Sequence, residues 1–224
     1  MLRKLFLGDG VCEEIQKESS ITRRVKNLKM IWDGHDYGIE RLFRLFLALS
    51  QFIFFGTYIR QLFGKSSITR DVAIDIFVVI KISFGICILS WGYNWFSLGV
   101  LCWFLLETIL YTPTLIFASD YLSRPRSYKR AMILFFFNYI EIIIAFGCFY
   151  FGLSDNMSKP FESPIDAVYF SIITASTTGY GDYFPITTFG KTIVMSQSII
   201  SILWLVLFLN FFSSKIENKG YFGN

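Results

Sequence analysis

Charged residues are scarce. Asp, Glu, Lys and Arg make up 17% of the 224 residues, against about a quarter in soluble domains, and that deficit excludes an ordinary water-soluble globule. There is one histidine, His35, in the run WDGHDYG, and it reads as a solvated loop residue. With a single imidazole, and with no nucleophile–histidine pairing, metal-ligand spacing or phosphate loop, the chain carries no enzymatic signature. The four cysteines, Cys12, Cys87, Cys102 and Cys148, form no CxxC, which excludes the usual zinc and redox patterns. Three of them sit inside apolar runs as small apolar filler. The run MLRKLFLGDG has too short an apolar stretch for a signal peptide. The formal net charge of +4 comes from basic residues gathered near the ends of apolar runs, so it reads as membrane topology and not as nucleic-acid binding.

Apolar and aromatic residues fill the space. Hydrophobic residues reach 54%, aromatics 19%, and phenylalanine alone occurs 26 times; mean hydropathy is +0.50. These values predict an all-α integral membrane protein. Residues 1–41 read as a polar cytoplasmic region with Arg23, Arg24, Lys26 and Lys29 clustered. Residues 42–60 are apolar but carry Arg44, Gln51 and Tyr58 at seven-residue intervals, which predicts a helix lying in the interface or a short membrane helix, the former preferred. Residues 72–118 predict a transmembrane hairpin turning at Trp91-Gly92-Tyr93-Asn94-Trp95, with aromatics framing the turn as at a membrane interface. Lys81 lies 12 residues before Tyr93 and Glu107 lies 14 after it, so at about 1.5 Å per residue they reach similar depth. An unpaired charge there costs on the order of 3 kcal/mol, which predicts a Lys81–Glu107 ion pair, with a wet crevice around each as the rival. The short loop holding Arg124, Arg126, Lys129 and Arg130 is cytoplasmic by the positive-inside rule.

Residues 131–213 form the part of the chain around which the rest is organised. An apolar helix is followed by the turret Leu153 to Asp166, then by SPIDAVYFSIITASTTGYGDYFP from Ser163 to Pro185, then by a second apolar helix. Ser163, Pro164 and Asp166 spell a capping box with proline at the first helical position. The helix predicted over 164–175 would be about 18 Å long, too short to cross a bilayer. Beyond it stand Thr177-Thr178-Gly179-Tyr180-Gly181-Asp182. A dehydrated cation needs oxygens around it, and backbone carbonyls supply them only if successive residues break the alternation of a strand. Glycine adopts the left-handed dihedrals this requires, and Gly179 and Gly181 stand two apart.

This run resembles the selectivity filter of the potassium channel family, and the resemblance covers roughly Ala131 to Ser213. It implies a pore-loop fold of outer helix, pore helix, filter (177–181) and inner helix. It implies K+ bound by Thr177, Thr178, Gly179 and Tyr180, with Gly181 completing the filter and with no cofactor beyond the permeant ion. Thr178 stands where the family more often has valine. Asp182 is expected to support the filter by hydrogen bonding to Tyr169, and Ser201 stands where a hinge glycine is common, which puts hinge-bending gating in doubt. Ile173 replaces an acid that some members place behind the filter. One pore loop supplies a quarter of a ring, so a homotetramer in a lipid bilayer, with no nucleic-acid partner, is expected. Trp95 to Ala118 lacks the basic residue at every third position that a voltage sensor needs. The resulting expectation is a K+-selective channel of the plasma membrane without a voltage sensor, both termini cytoplasmic, with residues 214–224 as a short cytoplasmic tail. A non-selective cation channel and a non-conducting scaffold are the alternatives.

Overall fold

The computed structural model describes residues 20–33, 38–62, 67–117 and 128–213. These are helical almost throughout: α1 (Ser20–Asp33), α2 (Gly38–Ser50), α3 (Phe55–Leu62), α4 (Ser67–Trp91), α5 (Trp95–Phe117), α6 (Tyr128–Gly152), α7 (Pro164–Ala175) and α8 (Thr188–Ser213), with a 3-10 turn at Ser154–Asn156. Among the described residues, three stretches are long and apolar enough to cross a membrane: Asp71–Trp91, Arg130–Gly152 and Thr188–Asn210; Trp95–Tyr111 is a shorter apolar stretch. The sequence predicts four full spans. The chain is a multi-pass membrane protein. His35, Cys12, Arg124, Arg126 and the tail 214–224 lie outside the described residues.

The chain forms two compact units. The first comprises Met1–Ser83 and Trp103–Asn138. Its Arg130, at the start of α6, forks between two carboxylates of α4: it meets Asp75 at 2.5 Å and Asp71 at 3.3 Å, and also donates to the Asp71 carbonyl. The sequence suggests that Asp75 reaches water; its side chain is 44% exposed and engages Arg130 as well. These groups are part-exposed, so solvent screening limits what the fork contributes. Arg130→Ala is expected to destabilise the protein by about 1–2 kcal/mol, below the 3–5 of a fully buried pair. Arg130→Lys, a point charge without the fork, should recover only part of it. Thermal unfolding of the detergent-solubilised protein reads both.

The single helix expected over 42–60 is instead two, α2 and α3, parted by a turn. Phe52 and Ile53 donate to the carbonyls of Leu49 and Ser50 at 3.1 Å each, which tightens the last turn of α2 and redirects the chain. Buried Arg24 of α1 takes the Gln51 carbonyl at 3.0 Å and lies over the Tyr58 ring at 4.4 Å. A carbonyl that continued helix would have engaged thus has a charged donor instead. α2 turns Ile39, Leu42, Phe46 and Leu49 outward and buries Leu47 and Ala48.

Lys81 and Glu107 are both buried in this unit. Lys81 donates to the Thr108 hydroxyl at 2.5 Å. One carboxylate oxygen of Glu107 accepts the Gly56 amide at 2.7 Å, at the start of α3, while the other has no hydrogen-bond partner among the described residues. Lys81 is close enough to act on Glu107 electrostatically, and the backbone amide is a partner that the sequence reading omits.

The second unit comprises Phe84–Cys102 and Tyr139–Asn224. Gly92, at φ 95°, turns the chain from α4 towards α5, a conformation open to glycine. Asn94 caps α5 by accepting the Ser97 amide at 2.7 Å, and the Ser97 hydroxyl accepts the Asn94 amide at 3.0 Å. The core holds Ile142, Ala145, Phe146, Cys148, Ala167 and Phe170. Gly147 lets α6 approach α7 closely: a β-carbon there would lie 3.0 Å from Val168 Cγ2.

Candidate functional site

Ser163 has extended dihedrals, its hydroxyl accepts the Asp166 amide, and the Asp166 carboxylate accepts the Ser163 amide at 2.9 Å. This reciprocal cap starts α7 at Pro164, where the missing amide hydrogen costs nothing. The helix ends at Ala175, and its last carbonyls hold the following loop: Ser176 donates to Ile172 at 2.9 Å and Thr177 to Thr174 at 3.1 Å. The Ile173 carbonyl accepts both the Thr178 amide at 2.9 Å and the Gly179 amide at 3.4 Å. The Ser176 and Thr178 hydroxyls are 2.8 Å apart. The foot of the loop is therefore fastened to the negative end of the α7 dipole.

Above this foot the backbone alternates. Thr177 has φ 59°, Gly179 φ 54° and Gly181 φ 81°; no other described non-glycine residue has positive φ. Residues of opposite hand in strict alternation turn successive carbonyls to one side, which a pleated strand does not do. Thr177 is the member of this series that sequence reading misses, since a β-branched residue disfavours that region. Thr177, Thr178, Gly179, Tyr180 and Gly181 are all exposed; Tyr180 is 71% exposed, and nothing lies within 4 Å of a β-carbon placed on either glycine.

The outer end is braced by aromatics. Phe161 stacks on Tyr183 with centroids 4.7 Å apart, Phe170 meets Tyr150 edge-on at 4.8 Å, and Lys159 lies over Tyr183 at 4.4 Å. The Tyr169 side chain of α7 is close enough to Asp182 for the two to interact electrostatically. Partial desolvation, and then the carboxylates of Asp166, Glu162 and Asp182, push the Tyr183 pKa up. The hydroxyl stays protonated at neutral pH.

The turret is stitched to the exit of the loop. Ser158 donates to the Phe184 carbonyl at 2.8 Å, Ile186 to the Asn156 carbonyl at 2.9 Å, and the Thr187 hydroxyl to Asn156 Oδ1 at 2.7 Å. A β-carbon on Gly190 would lie 2.9 Å from the Asn156 carbonyl oxygen, a backbone atom that this stitching holds. Gly190→Ala is expected to destabilise the second unit by about 1–3 kcal/mol, as overpacking does. Thermal unfolding would show it.

Behind the loop lies a buried polar network. Tyr150 of α6 donates its hydroxyl to Gln197 Oε1 at 2.6 Å; Gln197 Nε2 of α8 donates to the Ser171 carbonyl at 2.9 Å and hydroxyl at 2.8 Å; Ser171 of α7 donates to the Ile143 carbonyl at 2.7 Å. One polar residue on each of three apolar helices gives no local spacing signal, so the sequence did not reveal it. Ser201, one turn beyond Gln197, is buried within uninterrupted α8, and its hydroxyl has no partner among the described residues. Ile173 is buried. Leu205 is exposed and Phe208 half-exposed, while the side chain of Phe212 lies outside those described. No group of three or more His, Cys, Asp or Glu side chains among the described residues is arranged to hold a metal ion.

Outer helix α6, half-length helix α7, one-sided loop and inner helix α8 make up a pore-loop fold. The ion-channel family model matches residues 133–218. The chain is 35% identical over 81 residues to potassium voltage-gated channel subfamily A member 5 of Mus musculus, covering 36% of this chain and 14% of that protein. The Homo sapiens protein of the same name matches at the same identity over the same length, with 13% of it covered. Potassium channel K1 of Plasmodium berghei (strain Anka) is 44% identical over 57 residues, which is 25% of this chain and 3% of that protein. No solved structure matches. The likeness thus spans a small part of the curated relatives and a little over a third of this chain. Over residues 133–218, then, the chain matches the ion-channel family model and is similar to the pore-containing part of potassium channels.

Proposed function

We propose that the chain is one quarter of a homotetrameric, potassium-selective channel of the plasma membrane. The observation that carries this reading is the alternation of positive φ at Thr177, Gly179 and Gly181 above a foot bonded to the Ile173 carbonyl. Four copies around an axis would stack rings of carbonyls from Thr177, Thr178, Gly179 and Tyr180, with the Thr177 hydroxyl adding an innermost ring, and these replace the water of a dehydrated K+. The exposure of this loop in a single copy supports a surface that other copies cover. α7 ends next to the loop, so the negative end of its dipole favours a cation below the filter, and the acids of the turret concentrate cations outside.

The channel is proposed to lack a voltage sensor. α5 carries no basic residue, and the Lys81 of α4 is engaged with Thr108. With the filter facing outwards, the basic residues before α6 lie inside, as do both ends of the chain. The α1–α3 region, the remaining polar part of the described chain, is the proposed place of gating. The test is a reversal potential in planar bilayers holding the purified chain, with potassium on one side and sodium on the other. Reversal near the potassium equilibrium potential, with block by barium, is the expected result. Reversal near zero would make it a non-selective cation pore, and silence under all voltages, lipids and pH values would favour the scaffold.

A further inference from the structure

We propose that Gln197 is a positioning residue for ion selectivity, holding the pore helix in register with the inner helix and so fixing the innermost ion sites; this rests on the channel reading above. The network has a single arrangement of donors. The Ser171 carbonyl can only accept, and the Ser171 hydroxyl spends its proton on the Ile143 carbonyl. Both contacts of Gln197 with Ser171 must therefore come from Nε2, which leaves Oε1 to receive the Tyr150 hydroxyl. Reversing the amide would set oxygen against oxygen at two points. Gln197 and Ser171 are 0% exposed and Tyr150 2%, so no water relieves such a mismatch, and an unmet polar group there is costly.

The tie reaches the filter by a short path. Ser171 and Ile173 lie two residues apart in α7, and the Ile173 carbonyl holds the amides of both Thr178 and Gly179. A shift of α7 against α8 moves this carbonyl and with it the foot of the filter. The side chain at 173 is apolar, and the polar ties of the pore helix at this depth are Gln197 from the inner helix together with the Ile143 carbonyl and the Tyr139 hydroxyl from the outer helix. Ser201, one turn along α8, has a hydroxyl with no partner among the described residues, which leaves Gln197 as the polar contact of that face with α7. A purely structural network would affect assembly and melting temperature alone. A positioning network also affects how well the filter distinguishes potassium from sodium in channels that do assemble.

The experiment compares the 224-residue chain with its Gln197→Leu, Ser171→Ala and Gln197→Glu variants, each reconstituted as assembled channels. Two quantities are read: the K+/Na+ permeability ratio, and the rise in unfolding temperature when K+ replaces Na+, which reports ion binding without requiring an open gate. Gln197→Leu is expected to lower the permeability ratio by 10-fold or more, as ~1.4 kcal/mol of altered discrimination would, and to remove most of the K+-specific thermal shift. Ser171→Ala, which keeps the carbonyl acceptor and folds with less disturbance, should lie between. Gln197→Glu, kept neutral by burial, retains one donor and one acceptor and should recover much of the wild-type ratio. Wild-type selectivity and an intact K+ shift in assembled Gln197→Leu and Ser171→Ala channels would overturn the proposal. Should Gln197→Leu not assemble, Ser171→Ala with unchanged selectivity would overturn it alone. A wild-type protein with neither current nor K+-specific shift would sink the channel reading, and the proposal with it.

Discussion

Gly179→Ala is expected to abolish potassium selectivity. The residue has φ 54°, where a β-carbon crowds the backbone and costs roughly 1–2 kcal/mol. The surrounding space does not oppose the substitution, since no atom of the same copy lies within 4 Å of the added carbon. The effect therefore comes from dihedral preference, and the cheapest relief is rotation of the 178–179 peptide towards ordinary φ. That rotation turns a carbonyl away from the ion path. In a fourfold assembly the preference acts four times in one ring, so a modest bias per copy becomes several kcal/mol for the site. The permeability ratio should fall from strongly K+-selective to near unity, read as a reversal potential moving towards zero. Gly181→Ala, at φ 81°, should do the same at the outer end. Retention of wild-type reversal by both variants would contradict the assignment of this loop as the filter.

Lys81→Met should be the most destabilising change outside the pore. It removes an ammonium from a buried position, leaving Glu107 with one oxygen on the Gly56 amide and the other without a hydrogen bond among the described residues. Breaking a buried charge interaction from one side costs about 3–5 kcal/mol, most of a typical stability margin. Glu107→Gln in the same chain removes the stranded charge and can still accept the Gly56 amide, so the double variant should be more stable than Lys81→Met alone. Melting of the purified proteins in detergent measures the coupling as a double-mutant cycle. Strictly additive effects would show that the two side chains stand apart energetically.

The sequence could be read where short-range chemistry decides the structure. Ser163, Pro164 and Asp166 are three adjacent instructions for one helix start, and each acts within four residues. Gly179 and Gly181 announce positive φ because few other residues tolerate it. Thr177 shares that conformation without announcing it, because the bonds to the α7 carbonyls hold it there against its own preference. The break at 51–54 was hidden for a related reason. Nothing in Gln51-Phe52-Ile53-Phe54 stops a helix; Arg24, 27 residues away, takes the carbonyl that would have continued it. The Tyr150–Ser171–Gln197 network and the fork of Arg130 likewise join residues far apart in the chain. Apolar periodicity marks helices in a membrane protein but says little about which polar residues on them meet, since lipid and protein surroundings demand the same composition.

The proposed fourfold filter has a consequence for inheritance. If each ring of oxygens takes one contribution from each of four identical copies, no copy can be faulty without spoiling the whole ring. A cell making equal amounts of wild-type and Gly179→Ala chains, mixed at random, would keep only about one assembly in sixteen free of the defect. A single altered allele would then remove selectivity from most assemblies while leaving the amount of protein at the membrane unchanged, and the lesion would behave as dominant because the wild-type copies in a mixed assembly cannot restore the ring.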